Sequence, residues 1–160
     1  MTSHERAELV SRYRRGARAL LDTLAVVPDA DLDRTAADGG WSPRTVAHHV
    51  ADAELTAAAR LRRLIAEDGP RISPYDQDVY AGRLHYERPL ATSLALISAL
   101  TEANAELLDR LSDEEWLREG VHEERGAYSV ETWLTVYAEH CRARARTCSP
   151  TGFANSTRMR

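Results

Sequence analysis

Four stretches in which apolar residues recur at every third or fourth position, bounded by Pro, Gly or Ser, constrain this 160-residue chain more than any other feature. The first runs from about Glu5 to Ala25, with Leu9, Tyr13, Ala17, Leu20 and Leu24 on one stripe, and stops before Pro28. Ser42-Pro43 announces the second: the serine oxygen caps free backbone N–H groups, and proline at the first helical position has no N–H to leave unsatisfied. Its inward stripe is Val46, His49, Val50, Ala53, Ala57, Leu61 and Leu64, and Gly69-Pro70 ends it. The third begins near Pro89 and carries Leu90, Leu94, Ile97, Leu100 and Leu107 to about Arg110. The fourth starts at Ser129, places Trp133, Leu134, Tyr137, His140, Cys141 and Arg144 on one side, and loses its pattern at Thr147-Cys148-Ser149-Pro150.

Four amphipathic helices without a strand pattern predict an all-α fold, a four-helix bundle over residues 1–148, with a disordered tail over 149–160. Between the second and third helices, Arg71 to Arg88 shows no sustained period and predicts a long loop with one helical turn. Asp113 to Trp116 predicts a short turn of helix, and Val121 to Tyr128 a loop or small hairpin.

Charge narrows the partners. The formal net charge is -4 and the chain contains no lysine, so a basic field for gripping nucleic acid is absent. No apolar run approaches the roughly 20 residues a membrane span requires, and the charged start MTSHERAELVSRYRRG lacks a secretory signal's apolar stretch, so a soluble cytoplasmic protein is expected. Cys141 and Cys148 lie seven residues apart on one helical segment, about 10 Å along its axis, too far to bridge, and read as reduced thiols. Arg12, Arg14, Arg15 and Arg18 read as a solvated face paired with local acids, and Trp41 and Trp133 as packing residues.

His49 and His140 stand where hydrophobes belong, in the apolar stripes of the second and fourth helices. The residues allow two readings: buried imidazoles satisfied by hydrogen bonds, or ligands whose neutral nitrogen lone pairs hold a metal ion inside the bundle. His48 is the weaker candidate, since neighbouring helical side chains point about 100° apart. Asp52 and Glu54 flank the stripe and read as solvated or as partners of a histidine, and Tyr75 and Asp76 as a turn or a cover for the pocket.

Gly40-Trp41-Ser42-Pro43, the run Val46-Ala47-His48-His49-Val50-Ala51-Asp52-Ala53-Glu54, then Pro74-Tyr75-Asp76 and Tyr137-Ala138-Glu139-His140 together resemble the DinB/YfiT-like superfamily. The resemblance spans about Trp41 to Arg144. It implies a four-helix bundle, commonly a homodimer, with a divalent metal such as zinc or nickel held by three histidines. For some relatives it implies thiol-dependent transfer or isomerisation with bacillithiol or mycothiol, and for others hydrolysis. The first two ligands fall on His49 and His140, and the third on the position of Arg144. A guanidinium stays protonated and offers no lone pair, so Arg144 cannot ligate and repels a cation. His122 is the loop histidine that could replace the third ligand, although such a residue usually faces solvent. Two functions follow: a metal-dependent transferase or hydrolase that uses a low-molecular-weight thiol, or a metal-free protein in which Arg144 binds an anionic small molecule. A third reading is a helical dimer with no ligand.

Overall fold

The computed structural model describes residues 1–35 and 40–148. The tail expected to be disordered lies outside them. Six helices and three short strands follow in the order α1 (Ser3–Ala25), a 3-10 turn (Asp29–Asp31), α2 (Pro43–Ala66), β1 (Arg71–Ile72), α3 (Gln77–Arg83), α4 (Ala91–Leu108), α5 (Asp113–Trp116), β2 (Glu119–His122), β3 (Gly126–Ser129) and α6 (Val130–Thr147). The four long helices are those the periodicity predicts, within two residues at most boundaries. Ser42 caps α2 by accepting from the Thr45 N–H, and Ser129 caps α6 by accepting from the Thr132 N–H. Helix α1 carries a capping box in which Thr2 and Glu5 satisfy each other's backbone N–H groups.

The bundle is accompanied by a small sheet that the pattern indicates only at the hairpin. Strand β1 pairs parallel with β2, and β2 antiparallel with β3. Two- to four-residue strands are too short to show alternation, which is why the sequence reads as loop there. Gly120 permits the parallel pairing, because a Cβ at that position would overlap the Pro70 carbonyl oxygen that accepts the Val121 N–H at 2.9 Å. Gly126 adopts φ 75°, a left-handed conformation that closes the hairpin. The stretch expected as loop with one helical turn holds β1 and the two-turn helix α3, whose N-cap is Asp76.

Helix α1 packs along α6 and α4, and α2 along α4 and α6. The core has two halves. One contains Tyr13, Leu61, Leu64, Ile72, Leu108, Tyr128, Trp133 and Leu134; the other contains Leu20, Leu24, Val46, Val50, Ile97, Cys141 and Cys148. Trp133 is completely buried and its indole N–H donates to the Ala57 carbonyl at 2.9 Å, which ties α6 to α2. Three arginines of the α1 cluster are paired on the surface, Arg12 with Glu139, Arg14 with Glu102 and Asp109, and Arg15 with Glu8, whereas Arg18 makes no ion pair among the described residues. Among the described residues, no helix is long and apolar enough to cross a membrane.

Candidate functional site

Between the two halves of the core runs a band of polar side chains from α1, α2 and α6. His49, 2% exposed, faces His140 across the band with ring centroids 5.4 Å apart. The apolar stripes of α2 and α6 bring the two rings together, as their spacing requires. Trp41, partly buried, lies edge-on to His49 at 4.7 Å, and the Tyr137 ring stands 6.2 Å from His140. Trp41 is therefore a wall of the site as well as a packing residue.

Arg144 lies one helical turn beyond His140 and points the same way. Its Nη2 approaches His49 Nε2 at 3.4 Å and Gln77 Oε1 at 3.4 Å, and the guanidinium sits 5.2 Å above the Trp41 ring. A guanidinium can only donate, so His49 Nε2 is the acceptor and the neutral ring carries its proton on Nδ1. That buried Nδ1 has no hydrogen-bond partner, and neither has His140 Nδ1. Burial pushes both imidazoles down: His49 to about 3, with His140 and then Arg144 as further causes, and His140 to about 4, with Arg144 as the second cause. Both rings are neutral near neutral pH.

The other sequence candidates sort differently. His48 is turned away from His49 as the helical period requires and is fully buried, with both of its nitrogens used: Nε2–H donates to the Arg88 carbonyl at 3.0 Å, leaving Nδ1 to accept from Ser93 Oγ at 2.8 Å. It is a structural tie between α2 and the start of α4. His122 does not face solvent; it is buried on β2 against the Tyr128 ring, and its Nδ1 accepts the Glu124 N–H at 3.2 Å. Asp52 accepts the Tyr86 hydroxyl at 2.7 Å, Asp76 caps α3, and Tyr75 stacks beside Tyr80 with Arg60 nearby.

Glu54 overturns its expected place. It is fully buried in the band, where one carboxylate oxygen accepts the Tyr13 hydroxyl and the other accepts the Cys141 thiol at 3.5 Å. Burial raises it to about 7, against the downward pull of both donors, and raises the Cys141 thiol well above its usual range. The signal was in the spacing. Glu54 lies four residues after Val50 and three before Ala57, on the α2 stripe itself.

The residues do not fit a three-imidazole metal centre. The third position holds a permanent cation, and the lone pair of His49 Nε2 already faces its N–H. A different donor group does exist among the described residues: Glu54, His140 and Cys141 place one ligand atom each within 4.8 Å of one another.

Residues 12–148 match the family model described as the DinB superfamily. The Oceanobacillus iheyensis protein named "Putative metal-dependent hydrolase OB0782" is 37% identical over 123 residues, covering 77% of this chain and 72% of the relative. Among solved structures, YfiT from Bacillus subtilis, described as a probable metal-dependent hydrolase with an unusual four-helix bundle topology, is similar with a TM-score of 0.88. The match is 23% identical and covers 98% of this chain and 90% of that one. The mycothiol-dependent maleylpyruvate isomerase is similar with a TM-score of 0.71 at 16% identity, covering 91% of this chain and 62% of that chain. At these identities the structural likeness is one of fold, and with the family match it leads to one statement: the chain belongs to the DinB superfamily.

Proposed function

We propose that the chain is a DinB-type small-molecule transferase or hydrolase, acting as a homodimer, in which Arg144 anchors an anionic low-molecular-weight thiol or its conjugate beside His49 and His140. The observation that carries this reading is the guanidinium itself, aimed at the paired histidines and supported on the Trp41 face. In a bundle of this type a bound divalent metal would lower the pKa of a thiol or water. Here a fixed positive charge occupies that place, and a charge-assisted hydrogen bond from Arg144 to a carboxylate or thiolate serves as the anchor.

The two imidazoles complement the anchor. His49 Nδ1–H, buried and unpartnered, is a donor for an acceptor atom of the ligand, and His140 offers a neutral ring that can take a proton. An anion docked between them raises both pKa values by favouring the charged rings, which brings the bases closer to neutral range when the ligand is present. A relative named as a metal-dependent hydrolase and a structural neighbour named as a mycothiol-dependent isomerase support small-molecule chemistry as the kind of activity.

The probe is mercaptosuccinate, an anionic thiol, titrated calorimetrically into the protein. Binding is expected in the unmodified chain and more than about 10-fold weaker binding in Arg144→Gln, since a hydrogen bond to a charged group contributes about 1.5–3 kcal/mol. Equal affinity in the two proteins rejects the anchor.

A further inference from the structure

Glu54 lies in the core without a counter-charge among the described residues. Its nearest cation along the hydrogen-bond chain is Arg62, which donates to Asn104 Oδ1 at 2.8 Å; Asn104 in turn donates to the Tyr13 hydroxyl at 3.2 Å, and only Tyr13 reaches Glu54. Two neutral groups therefore separate the carboxylate from the guanidinium. Taking an uncompensated carboxylate out of water costs several kcal/mol, and no part of the anion-binding reading uses this group. Beside it stand Cys141, whose thiol faces Glu54 Oε1 at 3.5 Å, and His140, whose Nδ1 has no partner. Nitrogen, oxygen and sulfur donors from these three side chains lie within 4.8 Å of one another.

We propose that Glu54, His140 and Cys141 form a binding site for a divalent ion of the zinc type, displaced toward the centre of the bundle from the position that Arg144 fills. Glu54 comes five residues after His49, about 7.5 Å further along the α2 axis, so this centre is separate from a three-imidazole one although it shares His140. Bonds of about 2.0–2.3 Å in a tetrahedral site separate donors by about 3.3–3.8 Å, and side-chain shifts of about 1 Å close the present spacing to that range.

The balance is simple. The ion forms bonds to a ring nitrogen of His140, to Sγ of Cys141 and to a carboxylate oxygen of Glu54; the thiol proton, and the carboxyl proton where Glu54 holds one, leave to solvent, and nothing is oxidised or reduced. The thiolate and carboxylate together carry two negative charges, which match the ion, so the Arg144 charge remains available for an anionic ligand, while His140 is a ligand in the ion-bound state and a proton acceptor only in the ion-free one. Tyr13 keeps its hydrogen bond to the carboxylate and fixes its orientation, as outer partners of metal ligands commonly do. A thiolate selects zinc or cobalt over magnesium or calcium.

Cobalt is the probe, because thiolate ligation gives a near-ultraviolet charge-transfer band that nitrogen and oxygen ligands do not. Titration of the metal-free chain with cobalt is expected to develop this band to saturation at one equivalent, and zinc to abolish it by competition. Cys141→Ser is expected to lose the band, Cys148→Ser to retain it, and Glu54→Gln to weaken cobalt binding more than about 10-fold. Arg144→Gln is expected to keep the band, which separates this test from that of the anion anchor. Circular dichroism identifies variants that fail to fold, and for any of these zinc-dependent protection of Cys141 from alkylation in the unmodified chain is read by mass spectrometry instead. No band in the unmodified chain, a band that survives Cys141→Ser, equal affinity in folded Glu54→Gln, or Cys141 alkylation unchanged by zinc overturns the proposal.

Discussion

Arg144 makes its site differ from a metal centre by a single side chain. An imidazole there removes a permanent charge, releases the His49 lone pair and adds a third nitrogen on the same helical face as His140. Arg144→His is accordingly expected to raise nickel affinity by more than about 10- to 100-fold, the usual cost of losing even an outer partner of a ligand. Calorimetric titration of both proteins with nickel reads the change, and equal affinities place the third ligand elsewhere. The buried histidines also set a pH dependence. An unfolded imidazole protonates near 6.5, whereas the folded values are about 3 for His49 and about 4 for His140. Their contribution is full above 6.5 and is lost as pH falls from there toward the folded values, about 2 kcal/mol per ring by about pH 5. Glu54 works in the opposite sense: raised from 4.5 to about 7, it adds about 2 kcal/mol as pH falls through that window. For these three groups urea denaturation of the metal-free protein at about pH 7.5 and about pH 5 is expected to show a net loss of about 2 kcal/mol, to which the lowered His48 and His122 add in the same direction, and a loss about 2 kcal/mol larger in Glu54→Gln. A Glu54→Gln curve no steeper than the parent shows that the carboxyl is not buried without compensation.

At the level of the elements, the least tolerant contact is where β2 passes the end of α2. Gly120 meets Pro70 so closely that a methyl group would overlap the carbonyl oxygen and approach the ring carbons at 3.0 and 3.1 Å. The hydrogen bonds there, Val121 N–H to Pro70 and Glu123 N–H to Ile72 at 3.1 Å, belong to backbone that cannot move without losing the β1–β2 pairing. Gly120→Ala is expected to destabilise the fold by about 1–3 kcal/mol, seen as a lower thermal midpoint, and an unchanged midpoint shows that β1 pairs loosely.

For the whole molecule the proposed homodimer makes a direct prediction. Equilibrium sedimentation at micromolar concentration is expected to give twice the 17.9 kDa chain mass, whereas a single 17.9 kDa species excludes the dimer. The sheet does provide edges, contrary to the reading of a chain without strands, but β1 has two residues and β3 four. Edges that short make poor templates for pairing between copies, so the proposed dimer is expected to use helix faces, where Leu55 on α2 is 52% exposed.

The four long helices, the serine caps of α2 and α6 and the facing of His49 toward His140 were all legible in the sequence, because a 3.6-residue period fixes which side chains share a face and capping is local chemistry. The departure at Arg144 was legible too, since a guanidinium is no ligand in any fold. Only the tertiary structure decided the rest. His48 and His122 are buried because neighbouring segments distant in sequence cover them, and no local pattern encodes that cover. Glu54 sits on the apolar stripe, yet its charge argues for solvent; its burial depends on Tyr13 from α1 and Cys141 from α6 arriving at its two oxygens. A buried carboxylate is permitted by its partners, and partners that lie 41 and 87 residues away meet only in the folded bundle.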